Sequence, residues 1–189
     1  MELKRDIYKE LLAWKSKSNH KVLELEGARQ VGKTYILEKF AKKEYQSHVY
    51  INMIGSSGKD FLQCLETAAS WEPGKKRENN PVYKAFQLYD PDFSDCEDLL
   101  IVIDEIQESS VVYSKIREFA RDFKAHFIVT GSYLGKTREK EYFLSAGDTE
   151  VLTMTTLTFP EFLDAFHRRG LYESIDLYGG SDHAGYDEL

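Results

Sequence analysis

The chain has 189 residues, 42% of them apolar and 13% aromatic, and a formal net charge of −7. That length suits one domain around a single core and excludes two large ones. The acidic balance argues against a broad nucleic-acid surface, which draws on a net basic face, and two cysteines, Cys64 and Cys96, are too few for a disulfide scaffold or a zinc site. The start, "MELKRDIYKE", is charged where a secretion signal needs an apolar stretch, and the longest apolar run, "LLIVI", is far too short to span a bilayer. A reduced, cytoplasmic protein with no membrane association is the expectation.

Strand-like and helix-like segments alternate along the chain, the rhythm of a parallel sheet with helical crossovers. "DIYKELLAWK" sets Ile7, Leu11, Leu12 and Trp14 on roughly one helical face. "KVLELEG" reads as a strand, although Glu24 and Glu26 alternate with Leu23 and Leu25 where a central parallel strand is usually apolar throughout. Glu26 can sit at the exposed strand end; Glu24 needs a buried partner or an open face. "KTYILEKFAKK" is helical and "HVYINM" is a second strand. "DFLQCLETAASW" and "PVYKAFQLY" look helical, and "EPGKKRENNP" between them is a polar loop. "DLLIVIDEIQ" carries the clearest buried strand, "VVYSKIREFARDF" a helix, "HFIVTGS" and "EVLTMTTL" two further strands. The last helix has a capping box in Thr158 and Glu161, Pro160 in its first turn and Gly170 as its stop. Residues 1–170 are the expected domain, and 171–189 a polar tail.

A Gly-Lys-Thr triplet occurs twice. A phosphate loop must leave a strand, turn consecutive backbone N–H groups toward the phosphate oxygens, and enter a helix N-terminus; four residues between the first glycine and the Gly-Lys pair make the wrap wide enough. Gly27, Ala28, Arg29, Gln30, Val31, Gly32, Lys33 and Thr34 meet that spacing in that context, and Tyr35 follows directly. In such a loop Lys33 reaches the β- and γ-phosphates and the Thr34 hydroxyl faces Mg²⁺. The second stretch, from Gly131 to Thr137, is one residue shorter between its glycines and reads as a surface turn.

Asp104 and Glu105 close the most apolar strand. In a parallel sheet the C-terminal strand ends line the ligand crevice, so Asp104 is placed to hold Mg²⁺ across from Thr34 and Glu105 to deprotonate a water attacking the γ-phosphate.

Taken together and in order, "GARQVGKT", "YIN", "LLIVIDEIQ", "FIVTGS" and "LTFPEFL" resemble the AAA-superfamily-like ATPases of bacteria and archaea, in which such a domain precedes a C-terminal domain of unassigned function. The resemblance implies an α/β three-layer sandwich of the P-loop NTPase type, additional-strand acid class, with a five-stranded parallel sheet in the order 5-1-4-3-2. It implies Thr130 or Ser132 as a polar sensor of the γ-phosphate, Ser132 joining Lys33 and Glu105 in the catalytic set, and Asn52 as a restraint on Glu105. Two departures stand out. Gly147-Asp148 occupies the place where relatives often carry Gly-Arg, leaving Arg29, Arg117, Arg121 and Arg138 as candidates to meet the γ-phosphate. The family also continues beyond the capped helix, so a fragment is expected, lacking a C-terminal region that supplies a partner surface.

The function expected is Mg-dependent ATP binding and hydrolysis that drives or switches an attached domain or protein partner, with ATP and ADP as ligands. The alternative is a nucleotide-responsive binding module with negligible turnover. A small-molecule kinase is disfavoured by Glu105, since a water-polarising carboxylate does little for transfer to a bound acceptor. Base preference, adenine over guanine, comes only from the resemblance, and a nucleic-acid partner has no support in the short run "EPGKKRENNP".

Overall fold

The computed structural model describes residues 4–17, 22–70, 80–131 and 147–170. Ser132, Arg138, the second Gly-Lys-Thr triplet, most of "EPGKKRENNP" and the 171–189 tail lie outside the described residues. In chain order the elements are α1 (Ile7–Lys15), β1 (Val22–Glu26), α2 (Lys33–Glu44), β2 (Ser47–Asn52), α3 (Ser56–Ala69), α4 (Pro81–Tyr89) and β3 (Leu99–Asp104). A single 3-10 turn (Ile106–Glu108) then leads to α5 (Ser110–Tyr113), α6 (Ile116–Asp122), β4 (His126–Gly131), β5 (Thr149–Thr153) and α7 (Phe159–Ala165). The five strands form one sheet, parallel throughout, in the order β2-β3-β4-β1-β5. This is the expected order read from the opposite edge.

Strand alternation builds two cores, one on each sheet face. Leu100 and Val102 of β3 join Leu23, Leu25 and Ile128 under α1 and α2, where Leu11, Ile36, Leu37 and Phe40 are fully buried. Leu99, Ile101 and Ile103 point the other way, into the larger core filled from α3 to α6. There Phe86 sits among Phe61, Phe93, Phe119, Phe123 and Phe127, with ring centroids 4.8 to 6.2 Å away. Burial on both faces is why β3 reads apolar throughout.

Local departures from the expected elements have local causes. Leu12 stays outside the buried face of α1, which is made by Ile7, Leu11 and Trp14. The helix expected over "VVYSKIREFARDF" is broken in two, because Ser114 turns its hydroxyl onto the Val111 carbonyl at 2.7 Å and the Lys115 N–H bonds three residues back to Val112. The last helix ends before Gly170: His167 takes a left-handed φ of 58°, and the N–H groups of His167 and Arg168 return to Asp164 and Leu163. That is a Schellman stop with histidine in the position glycine usually holds. Its start is as expected, with both halves of the Thr158–Glu161 capping box made.

Glu24 is buried between Val129 of β4 and Val151 of β5, at 3% exposure. Neither a hydrogen bond nor an ion pair reaches its carboxylate among the described residues. Burial, reinforced by the charge of Glu26, pushes it up to about 7. A raised carboxylate keeps its proton in the folded chain after the unfolded chain has lost it, so stability falls as pH rises from about 4.3 toward 7 and the penalty is full above that. Glu24→Gln is therefore expected to leave stability unchanged at pH 4 and to raise it by about 1–2 kcal/mol at pH 8, a figure discounted for solvent screening. Urea unfolding at the two pH values checks this; an equal effect at both would remove ionisation as the cause.

Candidate functional site

The loop between β1 and α2 takes its shape from its glycines. Gly27 leaves the strand at φ 153°, where an added Cβ would come within 2.3 Å of the Met154 carbonyl oxygen. Gly32 enters the helix at φ 96°, and Gln30 between them also has a positive φ, 65°. Only glycine enters the first two conformations without steric cost. Lys33 is the first residue of α2; its Nζ folds back to donate to the carbonyl oxygens of Gly27 at 2.7 Å and Ala28 at 2.8 Å. Burial holds its ammonium below the usual lysine value, the Glu105 and Asp104 carboxylates pull it back up, and Arg29 opposes them.

Strand order brings the acidic pair to this loop. Asp104 ends β3, and its Oδ2 accepts the Thr34 hydroxyl at 3.4 Å, closing a sequence separation of 70 residues. Its Oδ1 accepts the Glu105 N–H at 3.0 Å. Glu105 itself has φ 54° and ψ 44°, a left-handed conformation that costs a non-glycine residue energy and that recurs at functional sites. The side chains open onto a cleft of about 440 Å³ lined by Arg29, Gln30, Gly32, Lys33, Thr34, Tyr35, Asp104 and Glu105. Of the remaining loop residues, Gly27 lies under Met154, Ala28 gives its carbonyl to Lys33, and Val31 is buried in the core beneath α2.

The oxygen chemistry fits Mg²⁺. That cation is usually held through one or two carboxylates together with substrate phosphates, and a carboxylate and a hydroxyl face each other here. Among the described residues no cluster of three or more His, Cys, Asp or Glu could hold a metal by itself. The Thr130 hydroxyl, near the end of β4 and fully buried, has no hydrogen-bond partner among the described residues. A buried polar atom left so is costly unless a further group answers it.

The family model of an AAA domain matches residues 19–163. The chain belongs to the AAA domain family. No curated protein matches it. Among solved structures it is similar to Drosophila ORC bound to DNA, at 15% identity over 89% of this chain and 46% of that one, with a TM-score of 0.51. It is also similar to two Aeropyrum pernix structures. The ORC1 protein in complex with DNA is 16% identical, covering 90% of this chain and 50% of that one, with a TM-score of 0.48. The ORC2 protein in its ADPNP-ADP complexes is 15% identical, over 87% and 49%, with a TM-score of 0.41. This AAA domain thus spans about half the length of the chains it is compared with.

Several side chains in this AAA domain sit elsewhere than the sequence led one to expect. The Asn52 side-chain oxygen accepts the N–H groups of Ile54 at 2.9 Å and Gly55 at 3.2 Å, so it closes the turn after β2; the amide that meets Glu105 belongs to Gln107. Arg117 and Arg121, two of the arginines considered for the γ-phosphate, pair with Asp148 at 3.3 Å and 3.0 Å. Asp148 lies just before β5, at the end of the sheet opposite the loop, so the residue standing in place of the relatives' arginine draws these two arginines away from the cleft. Arg29 does line it.

Two residues of the site escaped the sequence reading. Tyr50 of β2 donates its hydroxyl to Asp104 Oδ2; burial, with the Asp104 carboxylate next, holds the phenol above its ordinary value. Arg5, ahead of α1, reaches the loop from behind, donating to the Val31 carbonyl at 3.0 Å, the Thr155 carbonyl at 2.7 Å and Glu161 Oε1 at 3.2 Å. "HVYINM" shows Tyr50 to lie in a strand but not which residue it meets across the sheet, and nothing local marks Arg5.

Proposed function

We propose that the chain binds ATP and hydrolyses it to ADP and phosphate, using the conversion to switch an attached domain or a protein partner. The observation that carries this reading is the meeting of Thr34 and Asp104 at 3.4 Å on the wall of one cleft, with Lys33 and Glu105 beside them. The backbone of Gly27 to Thr34 wraps the polyphosphate, and Lys33 gives up its contacts to Gly27 and Ala28 to reach the β- and γ-phosphates. Thr34 and Asp104 would hold Mg²⁺, which when bound neutralises charge on the phosphate oxygens. Glu105 takes a proton from a water whose oxygen bonds to the γ-phosphorus as the bond to the ADP oxygen breaks; Gln107 orients that carboxylate. Thr130, with its unanswered hydroxyl, is the better sensor of the γ-phosphate on what is described, and Ser132 remains the alternative. Tyr35, 59% exposed at the start of α2, borders the nucleotide without fixing the base.

A second reading, a nucleotide-responsive module with negligible turnover, rests on Arg117 and Arg121 being held by Asp148 at the far end of the sheet. An arginine at the γ-phosphate contributes roughly 10³–10⁵ in rate where one is supplied. The DNA named with two of the similar structures is not carried over, because this chain is acidic overall, at −7. No described helix is long and apolar enough to cross a membrane.

Calorimetry with ATP, ADP and GTP, each with and without Mg²⁺, tests binding, and phosphate release separates the two readings. Lys33→Ala is expected to weaken ATP binding by about 100-fold, the equivalent of losing hydrogen bonds between charged partners. Thermal stabilisation by Mg-ATP that is unchanged in this variant would defeat both readings.

A further inference from the structure

We propose that Tyr50 is a positioning residue for the metal-facing carboxylate of Asp104, an inference that rests on the nucleotide reading of the site. Tyr50 pairs in register with Val102, two residues before Asp104, so the three side chains emerge on the same sheet face, the one covered by α2. The phenol hydroxyl donates to Asp104 Oδ2, the same oxygen that Thr34 reaches at 3.4 Å. The other oxygen, Oδ1, is taken by the Glu105 N–H at 3.0 Å.

A carboxylate oxygen offers two lone pairs, and the terminal torsion of aspartate is broad, so its donors set its orientation. Here the backbone pins Oδ1 and two hydroxyls converge on Oδ2. Thr34 is also the residue placed to turn toward Mg²⁺. Once it does, Tyr50 is the side-chain donor left on Oδ2, and its hydroxyl keeps the carboxylate from swinging away from the cleft. Outer partners of this kind typically alter metal affinity by about 10–100-fold when removed. Tyr50 stands on the edge strand, so its position depends on β2 remaining paired with β3 up to the Asn52–Asp104 pair.

Tyr50→Phe keeps the ring and removes only the hydroxyl. The measurement is the affinity for ADP with and without Mg²⁺, by calorimetry, in the parent chain, in Tyr50→Phe, in Asp104→Asn and in the double variant. The metal-free ADP affinity is expected to be the same in the parent and Tyr50→Phe, which also reports that the loop is folded. The gain in affinity on adding Mg²⁺ is expected to fall about 10-fold in Tyr50→Phe, and the tyrosine change is expected to do nothing further once Asp104 is asparagine. An undiminished Mg²⁺ gain in Tyr50→Phe, or independent effects that multiply in the double variant, would overturn the assignment while leaving the nucleotide site standing. A parent chain that binds no ADP under either condition would sink the nucleotide reading and this inference together.

Discussion

Glu105→Gln is expected to lower ATP turnover by about 10²–10⁴-fold, the usual contribution of a positioned general base, while nucleotide binding persists. The contrast follows from where the residue sits. The groups that would grip the polyphosphate are the loop backbone, Lys33, whose ammonium donates to the Gly27 and Ala28 carbonyls, and Thr34, whose hydroxyl donates to Asp104, whereas the Glu105 carboxylate is met by the Gln107 amide. Glutamine keeps the size of the side chain and can hydrogen-bond a water, but it takes no proton from it. The left-handed backbone at this position, φ 54°, is preserved because it is fixed by the Glu105 N–H bond to Asp104 and by the 3-10 turn that follows. Single-turnover phosphate release beside ADP calorimetry separates the two effects. A rate equal to the parent's removes Glu105 as the base, and negligible phosphate release by the parent itself moves the protein to the module reading.

Arg5→Ala is expected to cost about 3–5 kcal/mol of stability, the penalty for stripping one partner from a buried ion pair, and to lower the melting temperature by about 6–20 °C at the sensitivity usual for a chain of this size. The arginine and Glu161 side chains are only 11% and 4% exposed. Glu161 also accepts the Asp6 and Thr158 N–H groups, both at 2.8 Å. One guanidinium and one carboxylate thus join the start of α1, the loop between β1 and α2, the segment after β5 and the cap of α7. Burial alone would raise the Glu161 carboxyl, but the two backbone donors and Arg5 outweigh it and hold the group below its usual value. A lowered carboxylate stabilises the fold fully above its unfolded value of about 4.3 and loses that contribution as pH falls through the folded value. The cost of Arg5→Ala should therefore shrink in acid. Thermal unfolding at pH 7 and pH 3 checks it; a loss under about 1 kcal/mol at pH 7 would mean that the pair behaves as a surface salt bridge. Because the Val31 carbonyl loses a donor in this variant, weaker nucleotide binding is expected to accompany it.

What was legible in the sequence is what is written in consecutive residues. The spacing from Gly27 to Thr34, the two carboxylates at the end of "LLIVI" and the Thr158–Glu161 cap each depend on neighbours in the chain, and each is made in the structure. Glu24 was legible only as a problem, because its buried surroundings come from β4 and β5. Asn52 shows the limit of carrying a role over from a resemblance: its strand position was right, but an asparagine followed two residues on by a free N–H closes its own turn first.

The sequence by itself determined the alternation of strands and helices, the glycines that let the loop curl, and the identity of the acids, because these follow from local sterics and apolar periodicity. Only the tertiary structure decided which distant groups share the cleft. Tyr50 and Asp104 are 54 residues apart, and Arg5 and Glu161 are 156 apart. Their meeting follows from strand order and from the packing of α1 and α7 around the loop, and no spacing within one segment encodes the three-dimensional proximity that a parallel sheet creates between its crossovers.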